Sequence, residues 1–129
     1  MKTLLISWTL LTVTTLYAST NIGMRTISKV MEANILTNAA GMTLYTFDED
    51  ELGLSHCDEA CLRVWPAHKT EDSDSVEAPF STIPALGGGF HILLDGKPLY
   101  TFVSDRAPGD VKGDNLGGVW HIVKLSEVN

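Results

Sequence analysis

The chain is poor in positive charge, in cysteine and in long apolar runs. Lys and Arg number 9 against 16 Asp and Glu in 129 residues, for a formal net charge of −7. No cluster of basic side chains offsets this balance, which argues against a nucleic-acid partner, since phosphate backbones are bound by clustered cations. Cys57 and Cys61 are the only cysteines, too few for a disulfide-dense scaffold. None precedes Cys57, so no lipid anchor is evident. The longest uncharged apolar stretch, from Leu4 to Tyr17, is too short for a comfortable membrane span. What remains is ordinary for a folded protein: 44% hydrophobic and 19% charged residues, at a length that suits one domain.

The N-terminal stretch has the layout of a secretory signal. Lys2 supplies positive charge, the apolar run follows, and Ala18 precedes the polar Ser19-Thr20-Asn21. Cleavage is expected after about Ala18, with an uncleaved anchor as the alternative. The expected location is periplasmic or secreted.

Two segments of the chain repeat. Residues 41–50 read GMTLYTFDED and residues 96–105 read GKPLYTFVSD. Both fit G-x-x-L-Y-T-F-x-x-D, and the register holds without a gap as far as Val64-Trp65 on Val119-Trp120 and Lys69 on Lys124. Two copies are too few for a solenoid. A single pseudo-twofold domain, each half covering the other's apolar face, is the expected solution.

The fold class expected is mainly β, a small α+β domain of two pseudo-symmetric β-hairpin repeats with one short helix around the Cys pair. Residues 1–18 are read as the signal, 19–29 as a lead-in and 30–125 as the duplicated domain. Within it lie repeat 1 (about 30–69), an acidic linker (70–80) and repeat 2 (about 81–125). Asp95-Gly96 is a hairpin turn between 90–94 and 98–102. Asn38-Ala39-Ala40-Gly41 makes a slightly longer turn between 35–37 and 43–47. Alternation places Tyr45 and Phe47 opposite Leu44 and Thr46, and Tyr100 and Phe102 opposite Leu99 and Thr101. Residues 118–125 read as a last strand. Asp58 to Val64 reads as two helical turns, capped by Ser55 or His56 and stopped by Pro66. Residues 69–79 read as a polar loop, and Gly87-Gly88-Gly89 as a flexible lead into the second hairpin.

LYTFDED, then S-x-C-x-x-x-C-x-x-V-W-P, then DGKPLYTFVSDRAPGD and GGVWHIVK, together resemble a bacterial secreted repeat of unknown function, lipoprotein family 15. Members are predicted lipoproteins with a Y-x-[FWY]-x-x-D motif. The resemblance spans roughly residues 30–125. It implies a secreted or envelope location and leaves the biochemical role open. The family's cysteine pair matches Cys57 and Cys61, and its motif matches Tyr45, Phe47, Asp50, Tyr100, Phe102 and Asp105. Many relatives carry a lipidated cysteine after the signal; this chain has none.

Cys57 and Cys61 are spaced i, i+4, which on one helical face puts their Cα atoms within disulfide range. An oxidising compartment favours the bond. The chemical alternatives are a reactive dithiol or a soft-metal site built from His56, Cys57, Cys61 and His68, suited to copper or zinc. Asp58 and Glu59 oppose thiolate formation, while a helix N-terminus would favour it. His91 and His121 read as strand residues. Asp50 and Asp105, each three residues after a strand phenylalanine, read as loop caps rather than an acid/base pair. Asp110 and Asp114 belong to a second solvated acidic loop. Tyr45, Tyr100, Trp65 and Trp120 either pack the core or line a groove between halves.

The expected function is a non-catalytic binding or interaction module of the envelope, with an envelope protein or small ligand as partner and no cofactor. The alternative is a redox or copper-type handling protein using the Cys57/Cys61 pair.

Overall fold

The computed structural model of the chain describes residues 27–30 and 34–128; the signal expected at 1–18 lies outside them. Eight strands and one helix follow in order. They are β1 (Ile27–Val30), β2 (Ile35–Asn38), β3 (Tyr45–Phe47), α1 (Glu59–Val64), β4 (Lys69–Thr70), β5 (Phe80–Pro84), β6 (Phe90–Leu94), β7 (Lys97–Pro98) and β8 (Trp120–Ile122). The described residues are mainly strand with one short helix, and they carry two related hairpin units.

Each unit is a long strand flanked on both sides. In the second, β6 pairs antiparallel with β5 on one side and with β4 and β7 on the other. In the first, β2 pairs antiparallel with β1 and bridges Thr43 and Lys124. The hydrogen bonds repeat as well. Leu36 N–H donates to Val123 O at 2.9 Å and Ile92 N–H to His68 O at 2.8 Å; Leu44 N–H donates to Leu36 O and Leu99 N–H to Ile92 O. The one-residue difference between these pairs sits in the longer 38–41 turn. There Asn38 Oδ1 accepts from the Ala40 and Met42 N–H groups.

The second unit's leading strand, β5, stands between the acidic linker and the three glycines, at the start of the expected repeat 2. Phe80, Thr82 and Ile83 are half-buried along it, and the three following glycines, all at positive φ, close the turn to β6. Its counterpart β1 straddles the expected boundary between the lead-in and repeat 1. The pairing Ile27↔Asn38 mirrors Phe80↔Leu94, so each unit opens on a strand that precedes the repeated motif.

Two other boundaries move. The last strand is only Trp120–Ile122, because Gly117 and Gly118 adopt positive φ and coil residues 116–118 into a 3₁₀ turn. The helix is capped by Asp58, whose side chain accepts the Cys61 N–H at 2.9 Å. Of the caps expected, Ser55 is turned toward Tyr100 of the other half and His56 toward Glu51 and Asp50 of its own.

The strand alternation sorts the core into two clusters. Leu36, Leu44, Ile92, Leu94, Leu99 and Val123 form an aliphatic one. Tyr45, Cys57, Trp65, Tyr100 and Trp120 form an aromatic one. Consecutive residues separate, Leu44 from Tyr45 and Leu99 from Tyr100, as a period of two requires.

Candidate functional site

The motif residues of both repeats meet at the pseudo-twofold axis. Tyr45 N–H donates to Tyr100 O at 2.7 Å and Tyr100 N–H to Tyr45 O at 2.9 Å, a reciprocal pair between equivalent residues. From there each repeat reaches into the other. Asp48 N–H bonds Val119 O, and Val103 N–H bonds Val64 O, contacts that coincide under the repeat register.

The side chains interlock in the same way. Tyr45 Oη donates to Asp105 Oδ2 at 2.6 Å, and Tyr100 Oη donates to Asp50 Oδ2 at 2.7 Å. Each tyrosine is therefore held by the other repeat's aspartate. The second oxygen of each aspartate fixes its own loop: Asp50 Oδ1 accepts the His56 N–H at 2.6 Å, and Asp105 Oδ1 the Lys112 N–H at 2.9 Å. The turn into each aspartate is identical, with Asp50 N–H on Phe47 O and Asp105 N–H on Phe102 O, both at 3.1 Å.

Between these two clasps runs a column of four rings. Phe47 stacks on Trp120 (centroids 4.2 Å), Trp120 on Trp65 (3.8 Å) and Trp65 on Phe102 (4.2 Å). Each phenylalanine again stacks on the tryptophan of the other repeat. Tyr45 meets Trp65 edge-on, and Tyr100 meets Trp120 edge-on; such offset and T-shaped pairs add to plain area burial. Tyr45 and Tyr100 are fully buried and both tryptophans nearly so, so these four rings are core and line no open groove.

Burial first, then the bond to the partner carboxylate, pushes the Tyr45 hydroxyl well above its ordinary ionisation range. Burial does the same for Tyr100, reinforced by Asp50 and opposed by Ser55. Both phenols stay protonated and act as hydrogen-bond donors. Their remaining capacity is filled differently in the two halves. Ser55 Oγ lies 2.6 Å from Tyr100 Oη, whereas the Gly113 N–H donates to Tyr45 Oη at 3.2 Å. Neither Ser55 nor Gly113 stands out in the sequence, because the repeat register pairs Ser55 with Asp110 and Gly113 with Asp58.

Cys57 and Cys61 form a disulfide with Cα atoms 5.2 Å apart. Cys57 precedes the helix and Cys61 lies in its first turn, so the bond ties the approach loop to α1. Cys57 packs against the aromatic cluster. Three of the four side chains that a soft metal would need are committed to other partners. The two sulfurs are bonded to each other, His56 Nε2 lies 2.8 Å from Glu51 Oε2, and His68 is buried beneath the strands. Among the described residues no group of three or more His, Cys, Asp or Glu is placed to hold a metal ion.

His91 lies in β6, where Nε2 donates to Leu99 O at 2.7 Å and the ring meets Tyr100 edge-on. Burial lowers its pKa below the ordinary 6.5. His121 sits at the surface against Asp48 at 2.7 Å. Asp110 accepts the N–H groups of Arg106 and Ala107, bonds that hold its carboxyl below the usual range.

A family model described as a secreted repeat of unknown function matches residues 33–69 and 93–124, more than half of the chain. The chain belongs to this family, the secreted repeat of lipoprotein family 15. The first matched segment begins after β1 and the second inside β6, and together they contain all eight motif residues described above. No curated protein matches the chain, and no solved structure does. As a member of a secreted family, the chain is an extracellular-type protein whose signature residues assemble one double clasp.

Proposed function

We propose that the protein is an exported, non-catalytic binding or interaction module of the cell envelope, released from its signal near Ala18. One observation carries the reading. The tyrosines, aspartates and tryptophans that could have done chemistry hold the repeats together instead, buried and paired with one another. A general acid or base must reach a substrate proton; Asp50 and Asp105 each already accept a phenol and a backbone N–H. The features that differ between the halves, α1 and its disulfide, are left to confer specificity.

The test is purification from the envelope or medium without reductant, followed by intact-mass and metal analysis. The expected result is a chain starting near Ser19, two hydrogens lighter than the reduced form and without stoichiometric metal. Reduced cysteines carrying copper or zinc in a fixed ratio would replace this reading with metal handling. A retained Met1 in a membrane-embedded product would replace release with anchoring.

A further inference from the structure

The two clasps are alike in their tyrosine–aspartate bonds and unlike in what holds them. On the Tyr100–Asp50 side both supports come from the two residues before Cys57. Ser55 Oγ lies 2.6 Å from Tyr100 Oη, and the His56 N–H donates to Asp50 Oδ1 at 2.6 Å. The Cys57 N–H in turn donates to Ser55 Oγ at 3.3 Å, so Ser55 ties the cysteine to the phenol. On the Tyr45–Asp105 side the supports are the Lys112 and Gly113 N–H groups. Their loop is fixed without sulfur. Asp110 accepts the Arg106 and Ala107 N–H groups on its side chain, and its carbonyl accepts the Thr43 hydroxyl at 2.7 Å. One clasp is held through the disulfide and the other is not.

The hold of the disulfide is local. Cys57 and Cys61 are separated by 4 positions, and a bond closing so short a loop restrains little unfolded-chain entropy. The fold as a whole therefore outlasts its loss. α1 and the segment leading into it depend on it far more, because the helix has six residues, none of them fully buried, and is too short to stand alone in water. The two sulfurs also differ in access. Cys57 is 5% exposed and packed on the aromatic rings, whereas Cys61 is only half-buried. Thiol attack depends on access to the sulfur, so an external thiolate meets Cys61 first.

Going beyond the binding-module reading, we propose that the Cys57–Cys61 bond is a redox latch on the Tyr100–Asp50 clasp, opened by an external dithiol. A thiolate of the dithiol attacks Cys61 Sγ; the Cys57–Cys61 bond breaks, and Cys57 Sγ leaves with the electron pair and takes up a proton. The second thiolate of the dithiol then attacks its own sulfur in the mixed disulfide, and Cys61 Sγ leaves and is protonated. The dithiol ends as a disulfide and the protein has gained two electrons and two protons. With the bond gone, Ser55 and His56 withdraw from Tyr100 and Asp50, while the Tyr45–Asp105 clasp stays closed.

The experiment is amide hydrogen exchange, followed by NMR, on the full oxidised protein before and after dithiothreitol. Alkylation and intact mass count the thiols released. The His56 and Lys112 amides report the two clasps, since each donates to the aspartate of its own side. On reduction, exchange at His56 should rise about tenfold, the scale of one lost hydrogen bond. The Leu62 and Trp65 amides, which bond Asp58 O and Cys61 O, should follow it. Lys112 and Gly113 should keep their rates, and reoxidation should restore the first set. With a monothiol, glutathione, the trapped mixed disulfide should map to Cys61. A reduced protein in which His56 keeps its rate would make the bond a plain staple and overturn the latch. A parallel rise at His56 and Lys112, global unfolding, or a folded protein that dithiothreitol does not reduce would overturn it as well. A mixed disulfide on Cys57 would overturn the order of attack. Each of these results leaves the binding-module reading standing, since that reading falls to the mass and metal analysis of the protein as isolated.

Discussion

Gly113 is a residue whose smallness is dictated by its neighbours. A Cβ there would lie 2.6 Å from Trp65 Cη2 and 3.0 Å from Tyr45 Cε1, two rings locked in the central column. Gly113→Ala is expected to cost about 1–3 kcal/mol, the range for overpacking a filled core, read by urea denaturation. The two aspartates should differ in sensitivity. Each accepts two donors, so the amide of an asparagine would turn an N–H toward one of them. Asp105 is buried and Asp50 only partly so. Asp105→Asn should therefore lose the larger share of the roughly 1–3 kcal/mol at stake in an unsatisfied buried partner. His91 supplies a pH dependence. Its folded pKa lies below its unfolded value of 6.5, so the unfolded chain binds the proton more readily. Its contribution is complete above pH 6.5 and is lost as pH falls through the lowered folded pKa. Melting temperatures measured on the acid side of 6.5 should fall more steeply for the parent than for His91→Gln.

At the scale of elements, α1 illustrates a helix that its own sequence cannot sustain. Six residues are far below the length at which an isolated helix is stable in water, and none of them is fully buried. It persists because Asp58 caps it and the Cys57–Cys61 bond ties it to the aromatic cluster. Asp58→Ala should cost about 1 kcal/mol. Removing the disulfide should cost about 2 kcal/mol, since a short loop restrains little unfolded-chain entropy. Both are measured by denaturant midpoints, the second with and without reductant. The i, i+4 spacing of the cysteines was legible as a candidate staple; the cap was not. Ser55 and Asp58 are equally good caps by residue type, but the Ser55 hydroxyl is drawn to Tyr100, a residue distant in sequence. β5 was hidden for a related reason. Its half-buried residues Phe80, Thr82 and Ile83 break a strict apolar–polar alternation, and its proline suits only an edge.

At the scale of the molecule, neither half has a complete aromatic core. Each clasp takes its tyrosine from one repeat and its aspartate from the other, and the ring column alternates between them. Unfolding should be a single cooperative transition, as expected of small single domains. The phenols report it. Both are held above their ordinary pKa of 10.0, first by burial. A folded pKa above the unfolded one gives stability that is complete below pH 10 and lost as pH rises beyond it. In an alkaline titration followed by tyrosinate absorbance, Tyr45 and Tyr100 should ionise only as the protein unfolds, in step with loss of near-ultraviolet dichroism. Ionisation of either with the fold intact would show that its clasp is open.

The sequence alone determined the duplication, the hairpins around Asn38–Gly41 and Asp95-Gly96, the opposition of Leu44 to Tyr45, and the family. These are short-range properties: a repeat, a turn type and a period of two are written in neighbouring residues. Tertiary structure decided which aspartate holds which tyrosine, that the tryptophans stack on each other, and that the leading strands β1 and β5 belong to the units. It also decided that Ser55 serves one clasp and Gly113 the other. Each is a contact between residues remote in sequence. The motif is the same in both copies, so it is equally compatible with a clasp inside one repeat or across two. Only the antiparallel pairing of Tyr45 with Tyr100 chooses, by placing each phenol against the opposite loop.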